Sequence, residues 1–286
     1  MAKIIQIKNS ITSCTTNKDK SLLAIGLDNG NIQIWRNDNS RWEWISEKVS
    51  ADLSHKKRIT GLDWCHKNDK LASCSADKQV HIWSFQIKNG ILEDLKFESV
   101  LFTMQQGHVS KAITCLEWSP HGNKIAFGSA NGAVGIAYIE KNYWKCNPLA
   151  NKNERLVYSA STCVAWSPDN INLAVGSTDK TVKIVSTFVD NIDDHFNIDT
   201  FNDFDSMWTD YKYHKFGRIL AEFKNDSWII AMKYNLDGDK LAFSSQDSCL
   251  TIVENTDLNS KTVYSSKKLP VTSLRADAMK NRSWNE

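Results

Sequence analysis

Between Ile59 and Trp83 apolar and polar positions alternate in three short runs. Ile59, Leu62 and Trp64 mark the first, Leu71 to Ser75 the second, and Val80, Ile82 and Trp83 the third, with polar turns at Cys65 to Lys70 and at Asp77. Three such runs in 25 residues predict a meander of antiparallel strands. The pattern recurs four more times. Aligned on Trp64, the copies place Thr16, Trp118, Trp166 and Tyr234 in one column, and nineteen residues later Trp35, Ala137, Val185 and Val253 fall opposite Trp83. Thirteen residues after the same anchors stand Asn29, Asp77, Asn131, Asp179 and Asp247, side chains that hydrogen-bond locally and tolerate a left-handed turn. Between them lie Ala24, Ala72, Ala126, Ala174 and Ala242, and the serines Ser75, Ser129, Ser177 and Ser245. Small residues there let neighbouring sheets approach near an axis. Five self-similar sheets each need a partner for their apolar faces, which points to radial stacking.

The order Thr-x-x-x-Trp-Ser-Pro, Leu-Ala-x-x-Ser-x-Asp, Val-x-Ile-Trp resembles the WD-repeat β-propeller, built from four-stranded blades of about 40 to 45 residues. His55, five residues before Thr60, matches the blade-opening histidine of that family, and His108 matches it loosely. The resemblance implies that His55, Ser73, Asp77 and Trp83 form a structural hydrogen-bond network in the second repeat. The other repeats are degenerate at the Trp83 position. The expected fold is all-β: a WD-repeat β-propeller with about five recognisable blades and a truncated sixth, where the family usually has seven. The domain is expected over residues 1–275, with repeats near 11–46, 55–97, 108–146, 162–187 and 227–264, an irregular insertion at 188–216 and a tail at 276–286.

The chain has 286 residues, 41% of them hydrophobic, enough for a large repeat domain with a distributed core. No apolar run approaches the roughly 18 residues of a spanning helix, and the start, MAKIIQIKNS, lacks the order of a signal peptide. Seven scattered cysteines read as buried free thiols of a reducing compartment. A net charge of +2, from 35 basic and 33 acidic residues, gives no global field favouring nucleic acid or an anionic membrane. Eleven tryptophans exceed what the repeat columns use.

Residues 4 to 7 read as a lone strand, and the resemblance implies that in a closed propeller such a strand completes the last blade, removing an exposed edge. From Phe188 to Phe216 runs an acidic, aromatic excursion, and loops of that length are more often functional or disordered than structural. Asp193, Asp194, His195 and Asp199 lack the central Gly and closing Glu of an EF-hand, so the excursion reads as a solvated acidic loop. Its aromatics, including Phe204 and Trp208, either dock on the domain or meet a partner. Trp42, Trp44, Tyr143 and Trp144 sit on predicted outer strands, where they pack within the blade or face a partner. Leu269 to Leu274 reads as the opening of a sixth repeat. No serine sits in a glycine-flanked elbow, and no histidine falls in HExxH or beside a CxxC pair, so neither catalysis nor a metal or other cofactor is expected.

Four local features resemble more closely the WD-repeat subunit of the actin-related protein 2/3 complex. They are Asn17-Lys18-Asp19 in the first turn, the opening Ile59-Thr60-Gly61-Leu62-Asp63-Trp64, the ending Tyr138-Ile139-Glu140 with Tyr143-Trp144-Lys145-Cys146, and the excursion carrying Trp208. The resemblance implies a non-catalytic scaffold in the cytoplasm and actin cytoskeleton. It holds the actin-related proteins and other subunits of an actin-nucleating complex, with the actin filament or a nucleation-promoting factor as further partners. The ATP chemistry then belongs to the actin-related subunits. The alternative is a WD-repeat adaptor of another assembly, a ubiquitin-ligase substrate receptor or a transport-coat subunit.

Overall fold

A computed structural model describes residues 7–38, 41–46, 54–67, 70–88, 91–101, 109–141, 143–150, 155–189, 192–193, 216–255 and 264–270. Strands dominate these residues and no helix occurs among them. They fall into two compact units, Met1–Leu156 and Val157–Glu286.

The first unit holds three four-stranded antiparallel sheets. The first comprises β1 (Ile11–Thr16), β2 (Leu22–Leu27), β3 (Ile32–Asp38) and β4 (Arg41–Ser46). The second comprises β5 (Ile59–Trp64), β6 (Lys70–Ser75), β7 (Val80–Lys88) and β8 (Ile91–Leu101). The third comprises β9 (Ile113–Trp118), β10 (Lys124–Ser129), β11 (Val134–Glu140) and β12 (Tyr143–Pro148). In each, the strands lie in chain order, because two-way hairpins are the shortest connection between antiparallel neighbours.

Sheets stack through their first strands: β5 lies against β1 and β2, and β9 against β5 and β6. This stacking needs small residues on the receiving face. A Cβ on Gly26 would stand 2.6 Å from Ile59 Cγ2, and Ile59 is fully buried there. Polar bonds add register to the apolar contact. Thr60 Oγ1 donates to the Ile113 carbonyl at 2.7 Å, the Trp118 amide to Asp63 Oδ2 at 2.7 Å, and Trp64 Nε1 to the Thr15 carbonyl at 3.2 Å. The Trp64 side chain thus ties the second sheet to the first, besides filling the core with Leu71, Trp83 and Phe85.

The second unit holds two such sheets. One is β13 (Ser161–Trp166), β14 (Asn172–Ser177), β15 (Thr181–Ser186) and β16 (Ile219–Lys224). The other is β17 (Ile229–Tyr234), β18 (Lys240–Ser245), β19 (Cys249–Asn255) and β20 (Tyr264–Pro270). Gly176 repeats the role of Gly26, with Ile229 Cγ2 2.7 Å from where its Cβ would be.

The strands differ from the sequence reading in two places. The excursion after residue 187 does not separate two repeats: β16 pairs with β15 through Val185 and Ile219, so the chain leaves and returns within one sheet. The unpaired edge of β15 supplies the reason, since its amides and carbonyls need partners and Ile219–Lys224 provides them. The stretch read as a sixth repeat begins inside β20, where Leu269 pairs with Leu250 and Pro270 with Cys249. It completes the fifth sheet up to Pro270, so the last strand of that sheet, Tyr264–Pro270, extends past the expected repeat boundary at 264. The predicted strand at residues 4 to 7 lies outside the described residues except for Ile7.

Among the described residues the repeats carry left-handed residues at fixed places, four and fourteen residues after the anchor. Lys20, Gly122, Asn170 and Gly238 occupy the first, and Gly30, Lys78, Gly132, Lys180 and Ser248 the second, all with φ between 60° and 90°. The left-handed residue therefore follows the Asx column instead of occupying it. The Asx side chain turns back on the chain: Asn29, Asp77, Asp179 and Asp247 accept hydrogen bonds from the amides of Asn31, Gln79, Thr181 and Cys249.

Candidate interaction surfaces and the network beneath them

In the second sheet His55 bridges two elements. Its Nδ1 lies 2.9 Å from Asp77 Oδ2 and its Nε2 2.9 Å from Ser73 Oγ, while Trp83 Nε1 donates to the same Ser73 oxygen at 2.9 Å. The His81 ring stacks on His55 at 3.8 Å, and its own Nε2 lies 3.0 Å from Gln79 Oε1. Asp77 also accepts from the amides of Lys56 and Gln79. Burial alone would raise the Asp77 carboxyl, but His55 and these two amides overcome it and bring the pKa to about 2. Four chain segments are thereby joined, and both ring nitrogens of His55, the Ser73 hydroxyl and the Trp83 indole N–H have partners within the sheet.

The equivalent positions in other sheets show the same space filled without polar groups. Where the second sheet has His55, Ser73 and Trp83, the third has Val109, Phe127 and Ala137, and the fourth Val157, Val175 and Val185, all buried. Phe127 grows where Ala137 shrinks. The loss of tryptophan at 137 and 185 is thus one of three coupled changes, and a polar network with one member missing would be worse than an apolar core. His108 precedes the Val109 that occupies the histidine position, and itself lies outside the described residues. Asp179, without a histidine partner, accepts from the Tyr158 amide at 2.7 Å and from Thr181. Trp118 and Trp166 are both buried.

The aromatic residues singled out as partner contacts separate by position. Tyr143, on the edge strand β12, is 76% exposed, whereas Trp144 packs against the core of the second and third sheets and meets Trp118 edge-on at 6.0 Å. Strand alternation alone puts these neighbours on opposite faces. Trp144→Ala is expected to cost about 2 to 3 kcal/mol of stability, and Tyr143→Ala less than about 0.5 kcal/mol, as read from urea melts of the two variants. Trp42 is half-buried, opposite Asn37 in the β3–β4 pair, and the Trp44 backbone pairs with Trp35. Phe204 and Trp208 lie outside the described residues.

Exposed apolar side chains that the repeat columns did not flag gather in the second unit. Trp228 is 50% and Ile230 56% exposed, Tyr158 and Leu236 more so. A signal existed in the alignment. Four residues before the anchor the chain has Thr12, Thr60, Thr114 and Thr162, then Ile230; two residues earlier Trp228 replaces Ser10, Arg58, Ala112 and Ala160. Tyr158 has a cationic support in buried Lys183, whose Nζ stands 5.3 Å from the ring centroid and 3.7 Å from Glu222.

Among the described residues no three His, Cys, Asp or Glu side chains converge on a metal-sized site. Asp193 accepts from the Val189 amide and from Asn170 Nδ2, which makes it a loop brace. Burial lifts the Cys146 thiol to about 12 and the Cys74 thiol further, so neither is a nucleophile near neutral pH. No helix of the described residues is long and apolar enough to cross a membrane.

Residues 62–147 match the family model of the anaphase-promoting complex subunit 4 WD40 domain, and residues 153–186 that of the WD domain, G-beta repeat. The structure is similar to the β-propeller domain of Cps50 (Swd1) from Myceliophteria thermophila, with a TM-score of 0.59 over 92% of this chain and 70% of that one at 14% identity. The fold class is the all-β WD-repeat β-propeller. Its sequence is similar over most of its length to subunit 1 of the actin-related protein 2/3 complex. It is 27% identical over 268 residues to subunit 1A-B of Xenopus laevis, covering 92% of this chain and 65% of that protein. It is 28% identical over 250 residues to subunit 1A of Arabidopsis thaliana, covering 86% and 59%. Against subunit 1 of Schizosaccharomyces pombe it is 24% identical over 223 residues, covering 77% and 52%. The chain thus spans from 52% to 65% of the length of these relatives.

Proposed function

We propose that this chain is a non-catalytic scaffold subunit of an actin-related protein 2/3 complex, supporting nucleation of branched actin filaments by binding neighbouring subunits in the cytoplasm. The observation that carries the reading is the length of the similarity: relatives of that one kind align along 77% to 92% of the chain. The geometry supports a role without chemistry of its own, since the buried polar groups of the second sheet are spent on holding strands together. On this reading binding is by surface complementarity, through the exposed side chains of Tyr143, Trp228 and Ile230, the half-buried Trp42, and the excursion carrying Phe204 and Trp208.

A second reading, an adaptor of another assembly, is favoured by the match to the anaphase-promoting complex subunit 4 model, but that match is confined to residues 62–147. Affinity purification of the full chain from its own cells, with mass spectrometry of what accompanies it, separates the two. Two actin-related proteins are expected in near-stoichiometric amounts, and less of them with Trp228→Ala/Ile230→Ala. Ubiquitin-ligase or coat components without actin-related proteins would overturn the scaffold reading.

A further inference from the structure

The near-neutral total charge conceals an uneven distribution. At one end of the first unit, the loops that lead into β1, β5 and β9 lie beside the β2–β3, β6–β7 and β10–β11 turns. The amides of Asp28, Ala76 and Ala130 bond to the carbonyls of Ser10, Arg58 and Ala112, which ties each loop to the turn of its own sheet. Neighbouring sheets adjoin at the same end. Gly30 of the first turn lies against the His55 and Lys57 carbonyls of the second loop, and Thr60 bonds to Ile113 at the start of β9.

This end exposes Lys8, Lys56, Lys57, Arg58, Lys78 and Lys111. Against these six cations the described residues of the same segments carry two carboxylates, Asp28 and Asp77, and Asp77 is taken up by His55 and by two backbone amides. Lys78 is the exposed left-handed residue that follows Asp77, and the bonds of His55 and of the Lys56 amide anchor the loop that carries Lys56, Lys57 and Arg58.

We propose that this basic end is an electrostatic docking surface for an anionic lipid bilayer. The residue types select the occupant. Five of the six cations are lysines, strongly hydrated point charges that suit a diffuse field of headgroups, whereas paired recognition of single carboxylates or phosphates uses arginine. Protein interfaces are depleted in lysine and are anchored by buried aromatics, and no aromatic side chain stands among the described residues of these loops and turns. The same lack removes the stacking platform a single-stranded nucleic acid would use. Ile11, 54% exposed and next to Ser10, is the large apolar side chain beside the cations. Each lysine or arginine near an anionic surface contributes about 5-fold in affinity, so six give a stable yet salt-reversible attachment. The surface does not depend on the subunit reading.

Co-sedimentation of the full chain with phosphatidylcholine vesicles, with and without phosphatidylserine, tests it. Binding is expected only with phosphatidylserine and is expected to fall steeply with added salt. Lys56→Gln/Lys57→Gln/Arg58→Gln is expected to weaken it about 100-fold, and Lys8→Gln/Lys111→Gln, on the other two loops, about 25-fold. Lys224→Gln/Lys233→Gln/Lys240→Gln, with the same loss of charge in the second unit, is expected to leave it within about 3-fold. Thermal melts establish that each variant is folded. Three results would overturn the proposal: no binding to phosphatidylserine vesicles, equal loss in the second-unit control, or tighter binding to an acidic polypeptide or to poly-uridine than to vesicles at the same salt.

Discussion

Asp77→Ala is expected to lower stability at neutral pH by about 3 kcal/mol, because it leaves His55 and the Gln79 amide without their acceptor in a site that water does not reach. The Asp77 side chain is 6% exposed and that of His55 fully buried. The pH dependence follows from the same carboxylate. Its folded pKa of about 2 lies below the value near 3.9 of an unfolded aspartate, so its contribution is complete above about pH 4 and is lost as the pH falls toward 2. Across that window the native protein should lose about 2 kcal/mol more than the variant. Urea melts of both proteins from pH 2 to pH 7 measure the difference. Parallel acid arms in the two proteins would show that the carboxylate is not held by His55. Asp179→Ala provides an internal comparison: Asp179 has the same turn bonds without a histidine, and the smaller loss expected, about 1 to 2 kcal/mol, isolates what the histidine adds.

Gly30→Ala and Lys78→Gly should move stability in opposite directions although they occupy the same column. Gly30 has φ 90°, and a Cβ there would stand 2.1 Å from the His55 carbonyl oxygen. Backbone strain and a collision with backbone both apply, so a loss of about 3 kcal/mol or more is expected. Lys78 has φ 75°, in the region that favours glycine. Removing its Cβ relieves about 1 kcal/mol of strain, offset in part by the greater freedom of the unfolded chain, for a net gain of about 0.5 kcal/mol. Midpoints from denaturant titration report both signs. A destabilised Lys78→Gly with an unchanged m-value would mean that the lysine contributes contacts worth more than the strain.

These two sites show how unevenly the sequence disclosed the molecule. The Asx column was legible because a turn is a local event: its residue type, offset and hydrogen bonds all fall within a few positions. Which member of the turn is left-handed was not, since lysine and serine at positions 78, 180 and 248 carry none of glycine's signature. The partition of Tyr143 from Trp144 follows from strand alternation, but which of the two faces the core depends on Trp118 and on the neighbouring sheet. Tyr158, Trp228 and Ile230 went unflagged because repeat columns draw attention to what recurs, and these residues matter by departing from the repeat.

The sequence by itself determined the class of fold and the count and order of its clear meanders, because antiparallel hairpins are built from contacts between residues close in the chain and repeat wherever their pattern repeats. It also determined that His55, Ser73, Asp77 and Trp83 stand at matched offsets in one repeat. Tertiary structure decided the rest. The bare edge of β15 chose β16 across the excursion, and the face of each sheet that receives its neighbour was set by whether Gly26 or Gly176 left room for Ile59 or Ile229. The six cations of three loops and one turn fall at one end of the first unit because its sheets stack first strand to first strand. Such contacts join residues tens of positions apart, and their energies depend on distance in space, which no local pattern in the chain encodes.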